Sequence, residues 1–236
     1  MVGIMIHHIH GSGFSPVKGS ISVEKLEKTI EKYAKTHIFT FDDRLASQEL
    51  AIDVLDKKGI QGWFFVVHHN EMEQDRITRE SSPDFHGWFM SEYLKNYPYP
   101  NMPEDFLSAY PFYTQKEKEY RYIRDVLNPF GHDEIMRPHR RDVALLDLDK
   151  IRHHKIGLHS HSHPRRMSHL NAFEQYTEYQ LCCDLVGETD CMSHPMGDYN
   201  DTTLEILKAM GIKYGFRSDD KFFSNLELPR IDICTL

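Results

Sequence analysis

The chain has 236 residues, 40% of them hydrophobic and 27% charged, with a formal net charge of −8. This balance holds no run approaching the roughly 20 apolar residues that span a bilayer, and no long basic run that would bind a nucleic-acid backbone. Four cysteines, Cys182, Cys183, Cys191 and Cys234, lack both CxxC spacing and the density of a disulfide scaffold, so reduced thiols are expected.

The opening MVGIMIHHIHGSG has no basic n-region, and His7 breaks its apolar run, so it fails as a secretory signal and cytoplasmic residence is expected. Residues 3–9 read as a short strand. A turn-rich stretch, GSGFSPVKGS, leads to a helix over about 23–35, with Ser22 as N-cap and Val23, Leu26, Ile30, Tyr33 and Ala34 at helical spacing. HIFTF at 37–41 reads as a second strand. An amphipathic helix over 48–58 is closed by Gly59, and GWFFVV forms a buried strand ending near Val67.

Residues 70–152, rich in Tyr, Phe, Pro and charge, interrupt the alternation and read as an insertion with one helix near 117–127. The alternation then resumes: KIGLH as a strand, a helix after Asn171, CMSH as a strand, a helix through TLEILKAM ended by Gly211, then KYGF and LPRIDI. This β-α order predicts a mainly parallel sheet, closed or open, and one α/β domain over residues 1–236.

In such architectures the C-terminal ends of parallel strands converge on one face, where active sites form. Four predicted strands end in ionisable groups: His7 and His8, Asp42 and Asp43, His159 to His163, and His194. The two carboxylates of TFDD repel each other unless a cation or proton compensates. A metal resolves this: one aspartate ligates, and the other accepts a proton from water the ion activates. The blander reading is an Asx-type turn or helix cap. In GLHSHSHP three histidines crowd one strand end; His159 and His163 are taken as ligands, with His161 left open. Two imidazoles and one carboxylate with an open position suit zinc or a similar divalent ion, with manganese, cobalt or nickel as alternatives.

TFDD, HSHSHP and HPMGDYN, in this order, resemble the polysaccharide deacetylases, the NodB-homology domain of carbohydrate esterase family 4. The resemblance covers nearly the whole chain outside the insertion and implies a distorted (β/α)7-type barrel of mainly parallel strands with a helical insertion. It implies Asp42 as general base and Asp43, His159 and His163 as metal ligands. The third motif commonly reads arginine-Pro-Pro-Tyr-Gly and here matches Ser193, His194, Pro195, Met196 and Gly197. Its arginine, which orients the catalytic aspartate, is absent, and Arg230 in LPRIDI is a candidate replacement. Met196 then offers its backbone amide to the oxyanion, and Pro195 and Gly197 fall at substrate-facing positions.

The usual C-terminal Leu-x-His motif is also lacking. The N-terminal strand ends in a histidine where circularly permuted members, the poly-N-acetylglucosamine deacetylase type, carry theirs, which makes His7 the acid. Strand alternation puts His8 and His10 on the surface. His68, His69, His132, His139, His153 and His154 are read as surface residues, and His194 as lying on the right face, where packing alone would also explain it. Trp63, Phe64 and Phe65 read as core strand residues. Trp88 and the aromatic stretch 97–113 suit either a sugar-site wall or insertion packing.

The resemblance implies hydrolytic removal of acetate from an N-acetylated sugar or glycan, with no nucleic-acid partner and no membrane span. Oligomeric state is left open. Two other readings stand beside it: an impaired sugar-binding or regulatory homologue, suggested by the missing arginine, and a metal-dependent phosphoesterase or amidohydrolase, suggested by the HxH element in GLHSH.

Overall fold

The structure, a computed structural model, describes residues 1–14, 16–17, 19–68 and 144–236. The helix expected near 117–127, Trp88, the aromatic stretch 97–113, His69, His132 and His139 lie outside the described residues.

The chain opens with β1 (Gly3–Ile6), then two short strands, β2 (Ile9–His10) and β3 (Ile21–Ser22), that pair with each other. The expected strand over 3–9 is therefore corrected: it stops at Ile6, and His7 and His8 occupy the break before β2. Helix α1 (Val23–Tyr33) is capped by Ser22, whose hydroxyl accepts from the Lys25 amide at 3.1 Å. Strand β4 (Ile38–Phe41), a 3-10 turn (Ala46–Gln48), helix α2 (Glu49–Lys58) and strand β5 (Trp63–Val66) follow. Gly59 ends α2 at φ 64°, in the left-handed region where glycine has no Cβ penalty.

After residue 144 come a 3-10 turn (Leu148–Ile151), β6 (Lys155–Leu158), α3 (Ala172–Val186) and β7 (Cys191–Ser193). A further 3-10 turn (Pro195–Gly197), α4 (Asp201–Ala209), β8 (Tyr214–Phe216) and β9 (Arg230–Asp232) complete the order. Asn171 caps α3 in a reciprocal box with Glu174, and Asn200 caps α4.

Seven strands form one parallel sheet in the order β8-β7-β6-β5-β4-β1-β9. A parallel bridge between Phe216 and Leu228 brings the chain leading into β9 back against β8, so the sheet nearly closes into a distorted (β/α)7 barrel. The apolar runs build its two layers. Ile4, Ile6, Phe39, Phe41, Phe64 and Val66 pack with Leu26, Ile30 and Leu55 of α1 and α2, while Phe65, Cys191, Phe216 and Leu228 form a separate cluster. Because every strand of the sheet runs the same way, the residues following β1, β4, β6, β7 and β8 emerge at one end.

Candidate active site

That end holds a cavity of about 330 Å³ lined by His7, Asp42, Asp43, His159, His163, Met196, Gly197 and Arg230, among others. Backbone strain concentrates here. Asp43, Arg44, Ser160, His163 and Met196 all have φ between 51° and 74°, a region costing about 1–2 kcal/mol for an L-residue with a side chain. The turn after Asp43 is fixed by the segment entering from residue 144. The Ala46 amide donates to the Ala144 carbonyl at 2.8 Å, the Leu146 amide donates to the Arg44 carbonyl at 2.7 Å, and Arg44 Nε donates back to the Leu146 carbonyl at 2.9 Å.

Asp42 follows β4 and is buried. Arg230 Nη1 lies 2.8 Å from both of its carboxylate oxygens, and Ser193 Oγ donates to Oδ2 at 3.0 Å. The arginine enters the barrel low, in register with Gly3, and its stem rises beside β1 to reach the end of β4. Gly3 makes room for it: a Cβ there would meet Arg230 Cγ at 2.9 Å. Burial pushes the Asp42 carboxyl up, but Arg230, His159 and His7 together hold it below the usual aspartate value, so it is ionised at neutral pH.

Asp43, His159 and His163 offer three ligand atoms that all lie within 4.8 Å of one another, on buried residues. Asp43 Oδ1 is 3.3 Å from His163 Nε2 and 3.5 Å from His159 Nε2. Burial opposes the Asp43 charge, but His163 and His159 outweigh it and hold this carboxyl far below its usual value. The second motif is neither helical nor extended. It is a turn in which the His163 amide donates to Ser160 Oγ at 3.1 Å, and Glu178 of α3 braces it by accepting from the amides of His161 and Ser162.

The chemistry of this donor set fits a cation. His159 Nδ1 donates to the Ser193 carbonyl at 2.8 Å, so its Nε2 is the nitrogen that faces the carboxylates, 3.5 Å from Asp43 and 3.7 Å from Asp42. A neutral ring would aim a lone pair at two anions. Only a proton or a metal ion between them relieves that, and a ring nitrogen fixed from behind by a carbonyl is the usual second shell of a metal-bound histidine. A second Asp-His-His group, Asp56, His153 and His154, lies at the other end of the barrel, just before β5 and β6. There the Gly62 amide donates to His154 Nδ1 at 3.4 Å, and it is His153 whose Nε2 lies 3.0 and 3.2 Å from the two Asp56 carboxylate oxygens. It is a hydrogen-bonded staple.

No family model and no curated protein matches the sequence. Among solved structures, the Streptococcus pyogenes deacetylase PplD, determined in complex with acetate, superposes with a TM-score of 0.52 at 14% identity, covering 98% of this chain and 91% of that one. The fold is that of the polysaccharide deacetylases. IcaB from Ammonifex degensii gives 0.50 at 13% identity over 98% and 93% of the two chains. BC0361, a polysaccharide deacetylase from Bacillus cereus, gives 0.50 at 12% over 98% and 64%. At such identities the likeness fixes the fold, and any chemistry rests on side chains.

Within this fold the structure brings Asp42, Asp43, His159, His163 and Arg230 together and places His7, Met196 and Gly197 on the same cavity. Met196 is left-handed at φ 55°, with an exposed side chain, and Pro195 is buried beside it. Gly197 has φ 67°, where glycine carries no Cβ penalty, and a Cβ there would also have to displace the Ser218 hydroxyl, 2.1 Å away. His161 stays outside the ligand group, its Nδ1 3.0 Å from His68 Nδ1. His194 packs: Nε2 donates to the Leu226 carbonyl at 2.8 Å, the ring stacks on Tyr199, and burial pushes its pKa down to about 4.

Two surface expectations are overturned. His8 is buried and lines the cavity, because the break after Ile6 ends the strand alternation that would have turned it outward. His154 is buried under Phe64 and His153. Ser193 and Glu178 were missed: Ser193 reads as a lost arginine, and Glu178 as an ordinary polar helix residue. Neither carries a local signal.

Proposed function

We propose that this protein is a metal-dependent N-deacetylase of an N-acetylated sugar or glycan. The observation that carries this is the placement of a buried, arginine-held Asp42 beside a separate Asp-His-His ligand group on one cavity. Asp43, His159 and His163 would hold a divalent ion, zinc by the donor set with manganese, cobalt or nickel as alternatives, and the bound ion supplies Lewis-acid polarisation of the acyl oxygen and acidifies water.

The chain's own groups do the rest. Asp42, ionised, takes a proton from the attacking water, and Arg230 and Ser193 keep its carboxylate oriented. The Met196 backbone amide donates to the oxygen that becomes negative; a donor of this kind is worth on the order of 3 kcal/mol of barrier. Gly197 walls the acyl group, with Pro195 buried behind it. His7, across the cavity, protonates the departing amine, and acetate and the free amino sugar leave.

Arg230 supports the catalytic reading over that of an impaired homologue, because it supplies a cation to the aspartate that the motif arginine would have served. A phosphoesterase is disfavoured: it usually needs more ligands than this group offers, and it leaves Asp42 without a role. Acetate release from N-acetylated sugars of increasing length, measured beside phosphate release from phosphoesters, tests the assignment. Phosphate release without acetate release would sink it.

A further inference from the structure

The ladder between β1 and β4 ends at the pair Ile6–Phe41, with one more bond from the Asp42 amide to the Ile6 carbonyl. Beyond that rung lie His7, His8 and Asp42, and the dipeptide Ser47–Gln48 in the 3-10 turn that follows TFDD bonds to all three. Both residues are fully buried. Gln48 Nε2 donates to the His7 carbonyl at 3.0 Å and to the Asp42 carbonyl. Ser47 Oγ accepts from the Ile9 amide at 3.3 Å and lies 3.0 Å from His8 Nδ1.

The direction of the Gln48 bonds is fixed by chemistry. Both partners of the Gln48 amide are carbonyls, so only its NH2 can face them, and Oε1 is turned away, buried with no hydrogen-bond partner among the described residues. A buried acceptor left in that state is destabilising. On its other side the same amide serves two carbonyls that an apolar side chain of this size would leave without their donor, so Gln48 adds one more rung beyond the ladder. Ser47 Oγ thus takes the Ile9 amide as one partner and the His8 ring as another, with the direction of the second bond set by the His8 tautomer.

We infer that Ser47 and Gln48 are positioning residues: they tie the His7–His8 end of β1 to Asp42 and set the separation of acid and base across the cavity. This rests on the deacetylase reading for its catalytic consequence, while the bracing itself is tested without activity. Misplacement of a catalytic group by about 1 Å costs roughly 100-fold in rate.

The test is Gln48→Met in the full, zinc-loaded chain, with Ser47→Ala as a second variant should the first not fold. For Gln48→Met, kcat for acetate release should fall roughly 100-fold while KM and zinc affinity move less than about threefold. Amide hydrogen exchange should quicken about tenfold in the segments around His7–Ile9 and Asp42–Arg44 and stay unchanged in β7 and β8. Ser47→Ala should give the same local pattern with a loss nearer tenfold, on the order of one hydrogen bond. Unchanged exchange, unchanged kcat, or loosening that extends to β7 and β8 together with lost zinc affinity would each overturn the inference. If the wild type releases no acetate from any N-acetylated sugar, the deacetylase reading falls, and the local exchange pattern still decides the bracing.

Discussion

Arg230 and Asp42, 188 positions apart in the chain, meet inside the barrel with one guanidinium nitrogen 2.8 Å from both carboxylate oxygens. Both side chains are buried, 1% and 2% exposed. Removing one partner of a buried pair typically costs about 3–5 kcal/mol, because the other charge is stranded.

Arg230→Met should therefore lower stability and let the Asp42 carboxyl titrate higher, since its strongest opposing cation is gone. If Asp42 is the base proposed above, the acidic limb of the kcat/KM profile should move to higher pH, and the rate at neutral pH should fall about 100-fold. A profile that keeps its acidic limb would detach Arg230 from the base.

Ser193→Ala removes the hydroxyl that donates to Asp42 Oδ2 and leaves the Ser193 carbonyl to hold His159. A hydrogen bond to a charged group is worth about 1.5–3 kcal/mol, so kcat should drop on the order of 10- to 100-fold with zinc affinity retained. Isothermal titration with zinc beside steady-state kinetics separates the two effects.

Much of this was legible in the sequence. Apolar runs ending in His or Asp pointed to the strand ends, and TFDD with HSHSHP pointed to Asp43, His159 and His163, which the fold gathers within 4.8 Å of one another. Arg230 could be named from LPRIDI as a candidate cation, but that it reaches Asp42 follows from the pairing of β9 with β1. What escaped depends on long-range closure: Ser193 matters only because β7 ends beside that same aspartate. His8 was misplaced because alternation was carried past Ile6, where the strand already stops.

His194 gives a pH prediction of known sign. Buried and neutral, with a folded pKa of about 4 against an ordinary value of 6.5, it leaves the unfolded chain binding more protons than the folded one between those values. Its contribution is complete above about 6.5 and is lost as pH falls toward 4, on the order of 3 kcal/mol in all. Urea midpoints from pH 7 to 4 should decline more steeply for wild type than for His194→Phe; parallel curves would contradict the assignment.

Within the histidine cluster the ligand roles should separate sharply. His159→Ala and His163→Ala should each weaken zinc binding about 100-fold or more, whereas His161→Ala, which changes a residue outside the ligand group, should stay within about threefold. Competition titration against a chromogenic chelator reads this directly.

The measurement closest to the central claim is divalent-metal content of the purified protein, taken together with acetate release before and after chelation, for wild type and Asp43→Ala. The account predicts a stoichiometric ion in the wild type, acetate release that chelation abolishes and added zinc restores, and neither ion nor release in Asp43→Ala. A wild type that carries no divalent ion, or an Asp43→Ala variant that binds zinc as tightly as wild type, would contradict it.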